Sequence, residues 1–534
     1  MPDDISEEKK PVENDTQKLS SLKQNLQQIV DSTPNASVKE SAQPKENTSS
    51  TGTDMAEKTK SESVPPQEPS PELTEVLMPT SQSPAQTANS GFSPTSLGPI
   101  KGGFGKKIGI ILAALLLVII VLFAISKIKT SRGGLVGKKG EITWWGLQDE
   151  ASVVQPLIDE YEKDNPKIHI TYIKQSNQDY RVRLSNSLAS GKGPDIFEIH
   201  NSWPAMFSAE LEAMPGSVMS AEDYSKTYYP VIANDMTTPG GIVGIPLEFD
   251  ALTLYVNQSI FASAAKTTPK LWDDVIDLAT SLTQRDPQGN IIQSGAALGI
   301  TENIDYWPEI VALMTLQNGA SLAVPNTPEG VQALTVYTQF DSPLQVWSGI
   351  LPPSTIAFAQ GKVAMYFGPT RKAPEIAKTN PSLRFRTITL PQLIKNKPEE
   401  PDSSYATYWV QSVWNRSVNK DEAWEFLKFI SSKDSLEKLQ DARVAVSGVG
   451  MPYPRIDMNL LQVNDPILGS VIALAPQAKS GYLYDMTYDG VDGINTQVDN
   501  LFAEAIKLRG SQPALDETAK GLSKVYASFG APLK

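Results

Sequence analysis

An α/β domain with a largely parallel sheet, set behind one apolar span and a long polar tail, is the fold class that this sequence predicts. Three observations predict it. From Glu141 onward, short apolar runs alternate with stretches of helical spacing. Between Ile108 and Ile125 eighteen residues pass without a charge. Ahead of them, residues 1–100 carry 15 Asp/Glu against 8 Lys/Arg and 12 of the 40 prolines, leaving 45 acids and 39 bases for the rest. About half of the net charge of −13 therefore sits in the tail.

Taken in order, residues 1–104 are dominated by Ser, Thr, Pro, Glu, Gln, Asn and Lys, with Phe92 the single aromatic before Phe104. Such a stretch cannot bury enough apolar surface to offset the entropy of ordering it, so it is expected to be disordered. A short helix near Leu19–Val30 has the spacing but no partner to pack on. The run IGIILAALLLVIIVLFAI (108–125) follows, flanked by Lys106, Lys107 and Lys127. Eighteen residues at 1.5 Å rise span roughly 27 Å, close to the hydrocarbon thickness of a bilayer. A single transmembrane anchor is expected over 105–128. A core helix would need a polar face. A cleaved signal peptide would need a shorter run nearer the start, although Ala124-Ile125-Ser126 has small residues at the right spacing. Three basic residues precede the span (Lys101, Lys106, Lys107) and five follow it (Lys127, Lys129, Arg132, Lys138, Lys139), a weak bias toward a cytoplasmic C-terminal side.

Residues 129–140 form a basic linker, and from Glu141 the chain reads as globular. ITWWGL (142–147), IHITYI (168–173) and the strand that follows GKGPD read as three strands. Val153–Tyr161 and Tyr180–Leu188 between them have helical spacing. Strand–helix–strand–helix–strand is the mark of an α/β layer, and ligands collect at the carboxyl ends of its strands. Trp145–Gln148 and His200–Trp203 lie there.

Composition removes several functions. Zero cysteines exclude disulfides, thiolate chemistry, Cys-ligated metals and a lipid-modified cysteine. Two histidines, His169 and His200, leave little for metal or His-based catalysis, so no cofactor, metal or catalytic residue is expected. An acidic chain is a poor nucleic-acid binder, which needs clustered Lys/Arg to displace counterions. Asp485, Thr487, Asp489 and Gly490 imitate a calcium loop, but Thr496 stands where its bidentate Glu is needed. GGFG at 102–105 lacks the spacing of a phosphate loop.

From about Glu141 to the C-terminus the sequence resembles the extracellular solute-binding proteins of ABC importers, in the maltose-binding-protein-like branch. ITWWGL, LIDEYEKDNPKIHITY, GKGPDIFEIHNSW and GIVGIPLEFDALTLYVNQSIF carry the likeness in the first half. PKLWDDVIDLATSLT, GITENIDYWPEI, FAQGKVAMYFGPTR, ITLPQ and NKDEAWEFLKFISSKDSLEKL follow in order. The resemblance implies a two-lobed periplasmic-binding-protein-like (type II) fold with hinge crossings over 141–534. Lobe one would hold about 141–248 and 389–433, and lobe two about 253–384 and 443–534. Crossings would fall near Glu248–Thr253, Arg384–Thr389 and Asp434–Arg443. The chain departs from the pattern in replacing a lipid-anchored cysteine by the apolar span and tail.

Trp145, Trp203, Trp307, Trp347, Tyr408 and Trp409 lie at or near expected strand ends and loops. Aromatic faces there bind the C–H faces of sugars while polar neighbours take the hydroxyls. The alternative for each is core packing, the reading preferred for Trp424 and Trp272. The resemblance gives an acid at Asp250 the task of holding solute hydroxyls, with Glu248 beside it, and brings Asn201 and Ser202 to the cleft. Arg371 would donate to the solute or to Asp250; Gln148 and Phe367 complete the expected ligand set. Asp195 reads as structural. The reading is a membrane-anchored, monomeric binding protein outside the cell that presents a small solute, a saccharide, to an ABC permease. Sensing or adhesion by the same domain is the alternative. A carbohydrate-active enzyme comes third, since acid pairs are common in any acidic chain.

Overall fold

The computed structural model describes residues 138–394 and 401–533. The expected tail, the apolar anchor and linker residues 129–137 lie outside the described residues. Among the described residues no helix is long and apolar enough to cross a membrane.

Lobe one begins with β1 (Glu141–Gly146), α1 (Ala151–Asp164), β2 (His169–Lys174), α2 (Tyr180–Ala189) and β3 (Ile196–His200). Ile142 and Trp144 of β1 face inward, and α1 answers with Val153, Val154, Leu157, Ile158 and Tyr161. Parallel neighbours need a crossover, and α1 and α2 supply it: β1 pairs in parallel with β2 on one side and β3 on the other. Gly146 is required at the end of β1, because a Cβ there would lie 2.0 Å from the Tyr172 hydroxyl. Its absence lets Tyr172 lie across the strand end and donate to the Asp149 carbonyl at 2.6 Å.

The chain continues through β4 (Ile245–Pro246) and β5 (Leu252–Asn257) to α3 (Trp272–Leu282), β6 (Gln284–Arg285) and β7 (Ile291–Ala296). Then come α4 (Trp307–Gln317), β8 (Val363–Pro369), β9 (Phe385–Ile388) and β10 (Trp409–Val413). The described part closes with α5 (Lys420–Ile430), α6 (Lys433–Ser447), α7 (Ile494–Lys507) and α8 (Gln512–Phe529). Two five-stranded sheets result, ordered β2-β1-β3-β10-β4 and β9-β5-β8-β7-β6. Both are mixed, against the largely parallel sheet expected: β10 runs antiparallel to β3, and β5 antiparallel to both β8 and β9. Those antiparallel partners arrive from distant segments that need no crossover helix.

Each sheet has its own core. Trp144, Phe197, Trp203, Trp414 and Trp424 belong to that of lobe one, and Tyr255, Trp272, Phe358, Tyr366 and Phe367 to that of lobe two. Core membership changes between Ala251 and Leu252, between Tyr405 and Ala406, and near Leu474–Ala475. The first change lies within 248–253, and the other two lie C-terminal to 384–389 and 434–443. β9 (385–388) adds to the edge of sheet two, and α6 packs on α1 in lobe one through Leu436 and Leu439. The three crossings lie side by side. Ala251 bridges Ala406, Thr407 N donates to the Asp250 carbonyl at 2.9 Å, and Ser404–Tyr405 pairs in parallel with Ala478–Lys479. The imitation calcium loop caps a helix: Asp489 accepts from Asn495 N (2.7 Å) and Thr496 Oγ1 (2.8 Å) at the start of α7.

Candidate functional site

A cleft of about 200 Å³ opens between the lobes beside the crossings. Lobe one and its crossing give it Gln148 after β1, Asn177, His200 at the end of β3, Thr407 and Trp409. Lobe two gives Tyr306, Arg371, Lys372, Asp485, Met486 and Tyr488. Trp409 starts β10 and stacks on Tyr488 (6.4 Å, 25°), so one ring from each lobe meets at the cavity. Behind Trp409, Trp203 (5.4 Å) and His200 (5.3 Å) pack edge-on and fix its plane. Lys372 lies 5.8 Å over the Tyr306 ring and pairs with Glu375 at 2.9 Å.

Arg371 ties the lobe-two wall to the hinge. Its Nε and backbone N donate to Asp250 Oδ2 (3.2 and 3.0 Å), and its Nη2 donates to the Thr407 carbonyl (2.7 Å). Asp250 Oδ1 accepts from Ala251 N, Thr370 N and Thr370 Oγ1, each at 2.9 Å. Both oxygens of this fully buried carboxylate are thus occupied. That placement departs from the expectation that Asp250 takes solute hydroxyls: it anchors the arginine that lines the cleft. His200 is buried, with Nδ1 2.8 Å from Ser202 Oγ and Nε2 3.1 Å from Thr407 Oγ1. Burial, helped by Arg371, pushes its pKa well below the usual value, so it presents a neutral ring to the cleft.

Glu198 of β3 holds the loop after β1 by accepting from Leu147 N and Gln148 N. Burial and then Glu248 push its carboxyl up to about 7, against the pull of those amides. Arg443 reaches the same loop with a bidentate pair to Asp149 (2.8 and 2.7 Å) and donates to the Leu247 carbonyl. A second cavity of about 300 Å³ lies here, and Gln148 and Arg371 stand in its wall as well.

Of the residues expected from sequence, Gln148, Arg371 and Trp409 line the first cavity and Glu248 the second. Asn201 and Ser202 are buried and connect the lobes, Asn201 Nδ2 donating to Tyr484 (3.2 Å) and Ser202 Oγ to Asn495 (2.8 Å). Tyr408 is buried with its hydroxyl on Asp235 (2.8 Å). Trp203 is wholly buried, Trp145 is half-buried against the lobe-one core, and neither lines these two cavities. Trp307 opens α4 and packs in lobe two, leaving the cleft to Tyr306 before it. Phe367 stacks on Trp272 (5.5 Å, 12°), a β8 residue turned to the core. Trp347 bonds Asn303 at 2.7 Å, away from the cleft. Reasoning from sequence missed Asn177, Tyr306, Lys372, Asp485, Met486 and Tyr488. Tyr306, Met486 and Tyr488 have φ of 62°, 52° and 57°. Non-glycine residues so placed are held there by their surroundings, and they gather at binding sites. Nothing in their local sequence announces that conformation.

Two α/β lobes, three adjacent crossings and a polar cleft with an aromatic from each side define a hinged binding protein. The chain belongs to the family of bacterial extracellular solute-binding proteins, whose model matches residues 144–437. Members of this family bind solutes and are not enzymes. A protein of Escherichia coli (strain K12) described as an ABC transporter periplasmic-binding protein is 22% identical over 315 residues, 57% of this chain and 70% of that one. A binding protein of Brucella abortus (strain 2308) is 21% identical over 333 residues, 60% of this chain and 77% of its own. Among solved structures, the solute-binding protein of Thermotoga lettingae bound with α-D-tagatose has a TM-score of 0.57 at 21% identity, covering 73% of this chain and 100% of that one. The sugar-binding protein of Xanthomonas citri has a TM-score of 0.58 at 18% identity, covering 73% and 98%.

Proposed function

We propose that this protein captures a saccharide outside the cell and delivers it to an ABC permease, acting as a monomer held at the membrane by Ile108–Ile125. The observation that carries the reading is the facing pair Trp409 and Tyr488, set beside Gln148, Arg371, Lys372 and Asp485. Aromatic rings suit the C–H faces of a sugar, and amide, guanidinium, ammonium and carboxylate groups suit its hydroxyls. Sugar-bound neighbours of the same fold support the choice of ligand class.

Topology follows from the task. A receptor for import must meet its solute before the membrane, so residues 129–534 lie outside and the tail inside, against a weak charge bias. A thermal-shift screen of mono- to tetrasaccharides, with amino acids, peptides and metal ions as controls, tests the ligand class, since tight binding raises the melting midpoint. A screen in which only peptides or metals shift the midpoint ends the saccharide reading. Protease added to intact cells tests the topology: cleavage of the folded domain with a spared tail is expected, and the reverse pattern overturns it.

A further inference from the structure

We infer that lobe two carries a second ligand site, apart from the cleft, for a small organic anion: a carboxylate or phosphoryl head on an apolar body. A third cavity, of about 390 Å³, lies between the turn joining β6 to β7, the chain from Asp341 to Leu351, and Arg509 just past α7. It is larger than either cavity beside the hinge and falls in the roughly 300–1,000 Å³ usual for small-molecule sites. No lining residue is shared with those two cavities. What fills it is therefore a second ligand, independent of the saccharide reading, and not a longer solute.

Two guanidiniums set its charge. Arg285, on the edge strand of sheet two, is held by carbonyls: Nη1 donates to that of Gly289 (2.9 Å) and Nη2 to that of Gln345. Among the described residues no carboxylate pairs with it, so its fork is oriented while its charge is not neutralised. Of the N–H groups a guanidinium offers, the rest are open to a ligand. Arg509 donates from Nη1 to the Thr338 carbonyl (3.2 Å) and pairs through Nη2 with Asp341 at 2.8 Å. Asp341 is the only carboxylate among the lining residues, against two guanidiniums, and the wall is net positive. A guanidinium fixed in advance meets an oxyanion at little ordering cost, through charge-assisted hydrogen bonds. Gln345, whose carbonyl orients Arg285, has φ of 54°, a conformation that its surroundings must hold and that gathers at ligand clamps. The apolar half comes from Trp347, Leu351 and Ile350. Trp347 is fixed by its bond to Asn303, and Ile350 is 82% exposed, a large apolar side chain that the body of a bound anion would cover.

The test uses the full chain in a non-ionic detergent at low salt, titrated by ligand-observed NMR with benzoate, phenyl phosphate, inorganic phosphate and benzyl alcohol. Benzoate or phenyl phosphate should bind roughly tenfold more tightly than benzyl alcohol, which has the body without the charge. Inorganic phosphate, the charge without the body, should bind more weakly than phenyl phosphate. The tighter of the two aromatic anions tells a carboxylate from a phosphoryl ligand. Arg285→Gln should weaken the better anion by roughly tenfold or more, the scale of a lost charge-assisted hydrogen bond. Ile350→Glu places a carboxylate at an exposed position beside the cavity and should weaken it severalfold. A normal melting midpoint shows that Arg285→Gln folds; should it not, Ile350→Glu decides. Lys372→Gln, in the cleft, should leave anion affinity unchanged. Binding by neither aromatic anion, equal affinity for benzyl alcohol, or full affinity in Ile350→Glu overturns the site. Loss of binding in Lys372→Gln also overturns it, by placing the anion in the cleft. None of these outcomes touches saccharide binding, which the thermal-shift screen decides on its own.

Discussion

The two walls of the cleft are built differently. Lobe one presents residues at strand ends, Gln148, His200 and Trp409: Glu198 of β3 holds the loop carrying Gln148, and Trp203, in the turn after β3, packs on Trp409. Lobe two presents loops, with Tyr306, Met486 and Tyr488 in left-handed backbone and Arg371 held chiefly by buried Asp250, with Glu248 3.6 Å away. A sheet edge is rigid because its ladder is satisfied locally. The loop wall depends on a few long-range contacts, so single substitutions should disturb it more.

The sharpest way to break that contrast is Asp250→Ala. It leaves Arg371 without its main partner and frees the amides of Thr370 and Arg371. Removing one member of a buried pair costs about 3–5 kcal/mol, read as a lower denaturant midpoint at unchanged slope. A loss below 1 kcal/mol would show that the lobe-two wall does not depend on this carboxylate.

On the lobe-one wall the largest effect is a pH dependence. Glu198 is raised from 4.5 to about 7 in the fold, chiefly by burial. The folded state therefore binds the proton more tightly than the unfolded chain. Its contribution is fully present below about 4.5 and is lost as pH rises through about 7. The loss is on the order of 3 kcal/mol, from roughly 1.4 kcal/mol per unit. Glu198→Gln, which keeps the acceptor for Leu147 N and Gln148 N, should flatten stability over that window. Urea titrations at several pH values measure it; parallel profiles for both proteins would contradict the assignment.

Trp409→Ala removes the ring shared by the two walls. Truncating a central desolvated aromatic costs about 2 kcal/mol of binding or more, roughly thirtyfold in affinity. The best saccharide from the screen, titrated into this variant, is the measurement, and parental affinity would exclude Trp409 from the site. Ser202→Ala is the smallest change. It deletes the hydrogen bond between the lobes from Ser202 Oγ to Asn495 Oδ1 and the contact of the same oxygen with His200 Nδ1. About 1 kcal/mol of apparent stability should be lost, visible as a small drop in melting midpoint without ligand.

Much of lobe one was legible in the sequence. The strands and helices from Glu141 to His200 were expected within one to three residues, because alternating and helical spacing report burial directly. Gln148 and Trp409, expected at strand ends, line the first cavity. Trp203 and Phe367 were misplaced for a related reason. A strand alternates its faces, and which face meets the core depends on what packs there, such as Trp272 against Phe367. The late crossings escaped because a strand at 385–388 and a helix at 433–447 read alike in either lobe.

By itself the sequence determined the α/β class, the absence of thiol chemistry and the apolar run at 108–125, each a property of local composition or period. Only the tertiary structure decided that Asp250 holds Arg371, that Arg371 stands 3.6 Å from a buried oxygen of Glu248, and that Tyr488 faces Trp409. Those facts join residues 79 to 123 positions apart. Hydrogen-bond saturation and burial are properties of a neighbourhood, which chain spacing does not encode and which exists only once the lobes have closed on one another.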